Sequence, residues 1–411
     1  METTRPWWKD ITKQQWRALW AGQVGWALDA FDVLLYMFAL TTIMAEWNLS
    51  SASAGFLASV TLFASAFGGI AFGVIADRLG RRNALMLTVL IFSLCSGLSG
   101  LAQNFTQLAI ARTLLGLGMG GEWASGALLV SETWPAEHRG KAIGIMQSGW
   151  ALGYIAAALV AAYVLPAFGW RVLFFVGIIP ALYTLWIRRK VEEPEIWVNA
   201  KNDLKQEKTI SLIQIFRADL IKYTLLCTLV SSFVMFAYWG LMTWLPGFLS
   251  SPVEKGGAGL SLVKTSAWII PMMIGAFFGY ISFGFIADKF GRRPTFAFFL
   301  AASAVLVYIY GNTRDASTLM LLGPLVGFFG SGYFSAFGAF ISELFPTRVR
   351  GAGVGFTYNV GRMVSALAPT VVGYFAATHG VGGALSITAG SFLLGALAIF
   401  TLPETKGSNL N

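Results

Sequence analysis

Long apolar segments separated by short polar ones run through the whole chain, and this pattern constrains the fold more than any other feature. The segments lie at about 17–45, 55–77, 83–102, 105–130, 141–165 and 169–187, and again at about 221–248, 262–287, 294–312, 316–342, 352–376 and 381–402. An α-helix needs about 20 apolar residues to cross a bilayer. The sequence therefore predicts an all-α integral membrane protein with twelve transmembrane helices.

The charged residues are few, and their distribution indicates the orientation of the chain. Only 12% of the 411 residues are charged, whereas soluble domains carry about 25%. If both termini are cytoplasmic, 23 of the 29 Lys and Arg residues fall in cytoplasmic segments and four fall outside. The positive-inside rule favours this orientation. The net charge of +9 then reflects topology, and nucleic acid is not indicated as a partner.

The metal- and sulfur-bearing side chains exclude several kinds of site. Cys95 and Cys227 both lie in apolar runs, and His138 and His379 are the only histidines. Neither a disulfide framework nor a metal constellation is indicated, and we expect no cofactor. The N-terminal segment is typical of a membrane interface rather than of a cleavable signal peptide.

An internal repeat divides the chain into two halves. The ten residues from Gly73 to Arg82 return at 284–293, the segment beginning at Glu132 returns at Glu343, and Glu193 corresponds to Glu404, all at an offset of 211. We therefore expect an N-terminal six-helix bundle (1–187), a cytoplasmic linker (188–219) and a C-terminal six-helix bundle (220–411). A parallel repeat of this kind places a substrate cavity near the midplane, between the halves.

These motifs resemble those of the major facilitator superfamily over the whole chain. The run Gly73-x-x-x-Asp77-Arg78-x-Gly80-Arg81-Arg82 is similar to the superfamily's signature between its second and third helices. Within the superfamily the chain looks most like the sialate/lactate:proton symporters, which are related to the aromatic acid:proton symporters. Four segments carry that closer resemblance: Leu28–Asp32, Arg112–Trp123, Gly169–Phe175 and Tyr358–Arg362.

Two carboxylates lie near the middle of the first apolar segment. Asp29, Asp32 and Tyr36 are spaced by three and four residues, so a helix places them on one face. A charge at the centre of a membrane helix costs at least about 2.5–3.5 kcal/mol, so this face must look into the protein. We expect the two acids to carry the coupled proton. They are alternatively structural partners of buried arginines.

Two further charged residues lie in the fourth apolar segment. The resemblance implies that Arg112 faces the acids of the first segment, in a pair that is either broken as the proton arrives or purely structural. Glu122 lies ten residues further on and therefore on another face. It is either a second proton relay or a buried acid paired with a polar neighbour.

Arg362 is the residue that we expect to bind substrate. Tyr358, Asn359 and Arg362 form a polar stripe on the eleventh segment, and a guanidinium suits a carboxylate in a bidentate contact. The alternative is that Arg362 pairs with Asp29 or Asp32 across the cavity. Polar and aromatic residues that either shape the substrate pocket or pack the core are Tyr36, Gln147, Trp150, Tyr154, Tyr238 and Trp239.

The charged loop motifs are candidates for a cytoplasmic gate. Their charges can pair in one state of a transporter and separate in the other, or they serve as topology determinants alone. The residues concerned are Asp77, Arg78, Arg81, Glu132, Asp288, Arg292 and Glu343.

Together these features predict a proton-coupled secondary transporter of a bacterial inner membrane, active as a monomer, that imports a small organic anion. Lactate or pyruvate is the first expectation, followed by sialic acid and then by aromatic acids or muconate. A proton-driven efflux carrier is the nearest alternative. A receptor is disfavoured because the central polar segment is short. An enzyme is disfavoured because no nucleophile–base set or phosphate loop is present.

Overall fold

The computed structural model describes residues 7–195, 198, 211–346 and 349–405, and all regular structure within them is helical. The α-helices described in the first half are α1 (Lys13–Trp47), α2 (Ser51–Leu79), α3 (Arg81–Leu101), α4 (Phe105–Thr133), α5 (Ala136–Val176) and α6 (Tyr183–Lys190). Those that follow are α7 (Ser211–Gln214), α8 (Ile221–Ser250), α9 (Leu262–Phe290), α10 (Arg292–Asn312), α11 (Ala316–Gly332), α12 (Phe334–Ser342), α13 (Arg350–Ser365) and α14 (Ala368–Ala398).

Local sequence signals set the ends of the helix that carries the two aspartates. The Thr12 hydroxyl accepts a hydrogen bond from the Gln15 N–H, and the Gln15 side chain accepts one from the Thr12 N–H at 2.8 Å. This capping box satisfies two N–H groups that the first turn leaves without partners. The helix α1 then runs for 35 residues to Trp47 and ends at Asn48, which has a φ of 50°.

Nine runs within the described residues are long and apolar enough to cross a membrane. Two of them, 141–190 and 353–401, contain 50 and 49 residues, about twice the length of one crossing. Each run has one glycine with a positive φ, Gly169 at 78° and Gly380 at 73°. Glycine adopts this backbone readily because it has no Cβ, so both runs change direction there.

The structure interrupts two segments for which the sequence predicts continuous helices. The segment at 316–342 breaks at Tyr333, between α11 and α12, and the segment at 352–376 breaks after Ser365, between α13 and α14. Pro369 lies in the first turn of α14, where its missing N–H and fixed φ begin a helix but cannot continue one. Tyr333, Ala366 and Leu367 keep right-handed helical backbone angles, so each interruption is a local change in hydrogen bonding and not a change in the direction of the chain.

Helices pack mainly within their own half of the chain. In the first half, α2 and α3 contact α4 while α1 contacts α4 and α5; in the second, α8 contacts α13 and α14, and α9 contacts α11. The glycines of α4 allow α2 to approach closely, because a Cβ on Gly116 or Gly120 would collide with carbonyl groups of α2. Across the halves, α2 meets α13 and α14, α5 meets α9, and α1 meets α8.

The two ends of the helix assembly differ. At one end, which we call the closed end, the Ser59 hydroxyl of α2 lies 2.7 Å from the Thr370 hydroxyl of α14, and Gly55 packs directly on the Pro369 carbonyl. The other end carries Arg81 and Arg292, and we call it the basic end. There, a Cβ placed on any of four glycines meets no described atom within 4 Å; these are Gly73, Gly144, Gly284 and Gly355. The halves are therefore packed together at the closed end and separated at the basic end.

Candidate transport site

A cleft with about 400 Å³ of empty space lies between the two halves. The first half contributes Trp26, Gln147 and Trp150. The second half contributes Tyr238, Trp239, Tyr280, Phe334, Tyr358 and Arg362. The cleft is therefore aromatic on both sides and has one positive charge in its wall.

The aromatic rings of the cleft contact one another across the boundary between the halves. The Trp150 ring lies 4.7 Å from the Trp26 ring of the same half. It lies 5.7 Å from the Trp239 ring of the other half, and the planes of Trp150 and Trp239 meet at 85°. The Trp123 ring stacks on Tyr358 at 4.8 Å and 8°, and its Nε1 donates to Gln147 Oε1 at 3.0 Å. These contacts hold flat rings at fixed orientations, as recognition of a planar ligand requires.

Arg362 is buried, yet most of its hydrogen-bonding capacity is unused. Its side chain is 3% exposed, its Nη2 donates to the Tyr358 hydroxyl at 3.5 Å, and its Nε has no partner among the described residues. The guanidinium carbon lies 5.1 Å from the centre of the Tyr358 ring. A guanidinium has five N–H donors, so Arg362 retains donors for an anion that enters the cleft.

The two aspartates of α1 are fully buried. The Asp29 carboxylate has no hydrogen-bond partner among the described residues, and the Ser96 side chain lies beside that of Asp32. Each is under the electrostatic influence of a different arginine: Asp29 of Arg362, and Asp32 of Arg112. We refer to Asp29 and Arg362 as the inner couple and to Asp32 and Arg112 as the outer couple. Arg362 therefore interacts with Asp29 and also lies in the wall of the cleft, so substrate binding and interaction with an aspartate would use the same guanidinium.

Arg112 of the outer couple lines a second, smaller cavity. The Arg112 guanidinium carbon lies 4.9 Å from the centre of the Tyr36 ring, and its Nε and Nη1 have no partner among the described residues. The Tyr36 hydroxyl donates to the Ala54 carbonyl at 2.7 Å. Trp239 and Thr243 of α8 complete the wall on the side of the second half.

Six of the predicted substrate residues line the cleft: Gln147, Trp150, Tyr238, Trp239, Tyr358 and Arg362. The other three lie elsewhere. Tyr36 lines the second cavity, Tyr154 is buried with its ring 6.0 Å from that of Phe38, and the Asn359 amide donates to the Gly355 carbonyl at 2.9 Å.

Sequence reasoning missed three aromatic residues that line the cleft, Trp26, Tyr280 and Phe334, and a fourth, Trp123, that stacks on the lining residue Tyr358. Trp26 is three residues before Asp29 and shares its helix face, so its position could have been inferred. Trp123, Tyr280 and Phe334 carry no such signal, because 15% of the chain is aromatic and only the packing of the helices selects among these residues.

Glu122 is fully buried beside α1. Its Oε1 lies 2.6 Å from the position of a Cβ on Gly25, and neither carboxyl oxygen has a hydrogen-bond partner among the described residues. Asp29 is the charged group that acts on it. The structure therefore brings Glu122 close to the inner couple, on the basic-end side of Asp29.

The predicted gate residues form two similar contacts at the basic end. Arg81 donates to both carboxyl oxygens of Glu132 at 2.9 Å, and Arg292 lies 3.7 Å from Glu343. Arg78 is exposed. The side chains of Asp77 and Asp288 lie outside the described part of the structure.

The third repeated acid has a separate role that the sequence did not indicate. Glu193 accepts hydrogen bonds from the backbone N–H groups of Arg82 and Asn83, at 3.1 and 3.3 Å. Glu404 accepts the equivalent bonds from Arg292 and Arg293, at 2.8 and 3.0 Å. Both acids therefore cap the N-terminus of a helix, where N–H groups lack helical partners and negative charge is favoured.

The family model of the major facilitator superfamily matches residues 24–282 and 257–411. The chain belongs to the major facilitator superfamily. It is 38% identical to a protein of Cupriavidus pinatubonensis described as a probable 4-methylmuconolactone transporter, with 98% of this chain and 93% of the relative covered. It is 31% identical both to the niacin transporter of Acinetobacter baylyi and to the sialic acid transporter of Escherichia coli K12, each with 97% of this chain and 96% of the relative covered.

A solved structure of similar fold is that of the D-xylose–proton symporter, with a TM-score of 0.75 and 20% sequence identity over 97% of this chain and 100% of the other. The family and the relatives confirm that this superfamily member is a multi-pass membrane transporter and not an enzyme. They also confirm its resemblance to the sialate and aromatic acid carriers.

Proposed function

We propose that the chain is a proton-coupled symporter that imports a small planar carboxylate, aromatic or unsaturated, across the bacterial inner membrane. The observation that carries this proposal is the Arg362 guanidinium, which has unused donors in a cleft walled by aromatic rings. A carboxylate pairs with the guanidinium, and a flat ligand stacks on the rings. The similarity to a niacin transporter supports this class.

Sialic acid and lactate rank behind planar acids for a physical reason. Both present the same carboxylate to Arg362, and a sialic acid transporter is among the relatives. Neither is planar, so each uses less of the aromatic surface provided by Trp150, Trp239 and Tyr358.

The architecture that we propose is twelve spans in two bundles, 1–187 and 220–411, joined by a linker at 188–219 with both termini in the cytoplasm. Support comes from the nine apolar runs: dividing the two longest at Gly169 and Gly380 and adding the 29-residue helix α4 makes twelve. Residues 196–197 and 199–210 of the linker lie outside the described residues. The site lies within one chain, so we propose that the monomer is functional.

The transport cycle that we propose is alternating access from an inward-facing state. The basic end, which the positive-inside rule assigns to the cytoplasm, is the end at which the halves are separated. Protonation of Asp29 removes negative charge beside Arg362, and protonation of Asp32 removes it beside Arg112, so proton binding and anion binding favour each other. Glu122 then provides a second proton site toward the cytoplasm, and the Arg81–Glu132 and Arg292–Glu343 contacts change as the basic end closes.

The test is uptake by the purified full chain in liposomes. Radiolabelled nicotinate, benzoate, cis,cis-muconate, sialic acid and lactate are supplied with and without an inward proton gradient, and a protonophore serves as the control. We expect gradient-driven accumulation of at least one planar acid. Accumulation of lactate or sialic acid alone would overturn the substrate class. If no acid moves while an organic cation leaves the liposomes in exchange for protons, the chain is an efflux carrier.

A further inference from the structure

Three hydroxyl groups from different helices of the second half lie together at the cleft. Tyr280 of α9 lines the cleft together with Tyr238 of α8. Their side chains lie beside each other, and both lie beside Ser331 of α11. All three residues are at most 4% exposed. The second half therefore provides a polar patch, which we call the hydroxyl cluster, in addition to Arg362.

The hydrogen-bonding capacity of the hydroxyl cluster is not used up within the protein. The Tyr238 and Ser331 hydroxyls have no hydrogen-bond partner among the described residues. Each hydroxyl has one proton and two lone pairs, so even complete pairing within the cluster leaves lone pairs free. Buried polar groups without partners are costly. A group that donates a hydrogen bond to the cluster is therefore expected, either from a ligand or from water.

The internal repeat indicates that helix packing does not require these hydroxyls. At the offset of 211, Gly279 corresponds to Gly68, and a Cβ on either would collide with a carbonyl group of the facing helix. The same close helix crossing is thus built in both halves. The first-half positions equivalent to Tyr238, Tyr280 and Ser331 are Ala27, Gly69 and Gly120. The hydroxyl cluster, like Arg362, occurs in the second half alone, and packing of the scaffold does not account for it.

Tyr358 relates the hydroxyl cluster to the guanidinium in the cleft wall. Its hydroxyl accepts a hydrogen bond from Arg362 Nη2 at 3.5 Å, and it acts electrostatically on Tyr238. Arg362, Tyr358, Tyr238 and Tyr280 all line the cleft. The cleft wall thus has two polar points, a cation and a group of hydroxyls, with the Tyr358 side chain near both.

We propose that Tyr280, positioned by Tyr238 and Ser331, recognises a hydroxyl group on the planar acid whose carboxylate pairs with Arg362. The inference rests on the proposed function for the carboxylate and adds a second point of recognition. A ligand hydroxyl donates one hydrogen bond and accepts another, which suits a cluster that has free lone pairs as well as protons. A site of this kind disfavours an analogue without the hydroxyl, because its own polar groups then stay unpaired.

Isothermal titration calorimetry on the purified full chain in lipid nanodiscs tests the proposal. The probes are two pairs of acids, 3-hydroxybenzoate with 3-methylbenzoate and 4-hydroxybenzoate with 4-methylbenzoate, because a methyl group has about the size of a hydroxyl but forms no hydrogen bond. We expect the hydroxy acid of at least one pair to bind about fivefold more tightly, as for one net hydrogen bond. Equal affinities within both pairs would overturn the inference and would show that the cluster pairs with water alone.

The variant Tyr280→Phe removes one hydroxyl and keeps the ring. We expect the ratio of the two dissociation constants to fall to about one. Tyr310→Phe is the matched control, because Tyr310 of α10 is also buried with a hydroxyl that has no partner among the described residues, and it does not line the cleft. The parent ratio should persist in this control. An unchanged ratio in Tyr280→Phe, or an equal fall in both variants, would contradict the assignment.

Ser331→Ala tests the positioning role separately. We expect it to lower the ratio about twofold, since Tyr280 keeps its hydroxyl but loses a neighbour that orients it. Ser303→Ala is the control, at a buried serine that donates to the Phe299 carbonyl at 2.7 Å, and it should keep the parent ratio. A ratio that is the same in Ser331→Ala as in the parent would remove Ser331 from the cluster's function.

The failure of this inference differs from the failure of the proposed function. Binding of the methyl and hydroxy acids with equal affinity would overturn the recognition of a hydroxyl and leave the proposed carboxylate transporter standing. If none of the four acids binds, the proposed substrate class fails, and the inference fails with it.

Discussion

The internal repeat is preserved at the basic end of the helix assembly but not among the charged residues in the middle. At the basic end the halves are close copies: Arg81 contacts Glu132 as Arg292 contacts Glu343. At mid-depth the charged residues have no equivalents. At the offset of 211, Asp29 corresponds to Gly240, Asp32 to Thr243, and Arg362 to Ala151.

This difference indicates which parts of the molecule move during transport and which parts bind the ligand. Two similar halves can rock against each other if their gates are built alike, and repetition of the same contacts at the basic end suits that motion. A ligand with one carboxylate and one proton has no such symmetry. Charges that occur in one half alone are therefore expected where the ligand is held.

The largest expected effect concerns the charge that occurs only in the second half. Arg362→Ala should lower the uptake kcat/KM by at least about 30-fold, because removal of one partner of a buried charge contact costs about 2–5 kcal/mol. Arg362→Lys should recover part of the loss, since a lysine keeps the charge without the bidentate geometry. Uptake by Arg362→Ala within a few-fold of the parent would show that the asymmetric arginine does not hold the substrate.

The next effect concerns the acids that occur only in the first half. Asp29→Asn should remove the stimulation of uptake by a proton gradient, about tenfold if the coupling free energy is 1–3 kcal/mol, while counterflow of labelled substrate without a gradient is retained. Asp32→Asn should act similarly through the outer couple. The control is Asp315→Asn, at an exposed helix cap. Full stimulation in both buried-site variants would place the proton elsewhere, with Glu122→Gln the next variant to measure.

A smaller effect distinguishes the two copies at the basic end. Arg81→Met should lower the midpoint of thermal unfolding more than Arg292→Met, because Arg81 makes two hydrogen bonds of 2.9 Å to Glu132 whereas Arg292 lies 3.7 Å from Glu343. The two variants should differ by about 1 kcal/mol in the free energy of unfolding, which is the typical contribution of one hydrogen bond. Arg78→Met, at an exposed position, should leave the midpoint unchanged. An equal loss in both copies would mean that their contacts are equally strong.

The smallest expected effect on stability concerns the glycines that face open space at the basic end, such as Gly355. Gly355→Ala should stabilise the protein slightly, by about 0.5–1 kcal/mol, as is usual for alanine in a helix interior, yet slow turnover because the extra methyl obstructs closure of the basic end. Gly390→Ala on α14, which also has open space around it, is the control and should stabilise without slowing transport. Unchanged turnover in Gly355→Ala would show that α13 does not approach another helix there during the cycle.

Some relations within the site followed from spacing, and others depended on packing between distant segments. Asp29, Asp32 and Tyr36 were expected on one buried face, and all three are at most 1% exposed. Arg362 was expected near aromatic residues of other segments, and it lies with Tyr238 and Trp239 in the cleft. The assignment of Asp29 to Arg362 and of Asp32 to Arg112 was not predictable, because it depends on the rotation of three helices about their axes.

The sequence by itself determined the membrane class, the repeat and the family. Apolar length, basic loops and repeated motifs are local or periodic features, which a chain shows without being folded. The tertiary structure alone decided the interruptions at Tyr333 and after Ser365, the aromatic lining by Tyr280 and Phe334, the stacking of Trp123 on Tyr358, and the two cavities that Trp239 lines. These depend on which helix faces meet across the halves, and the free energy of that packing is a property of the assembled bundle rather than of any one segment.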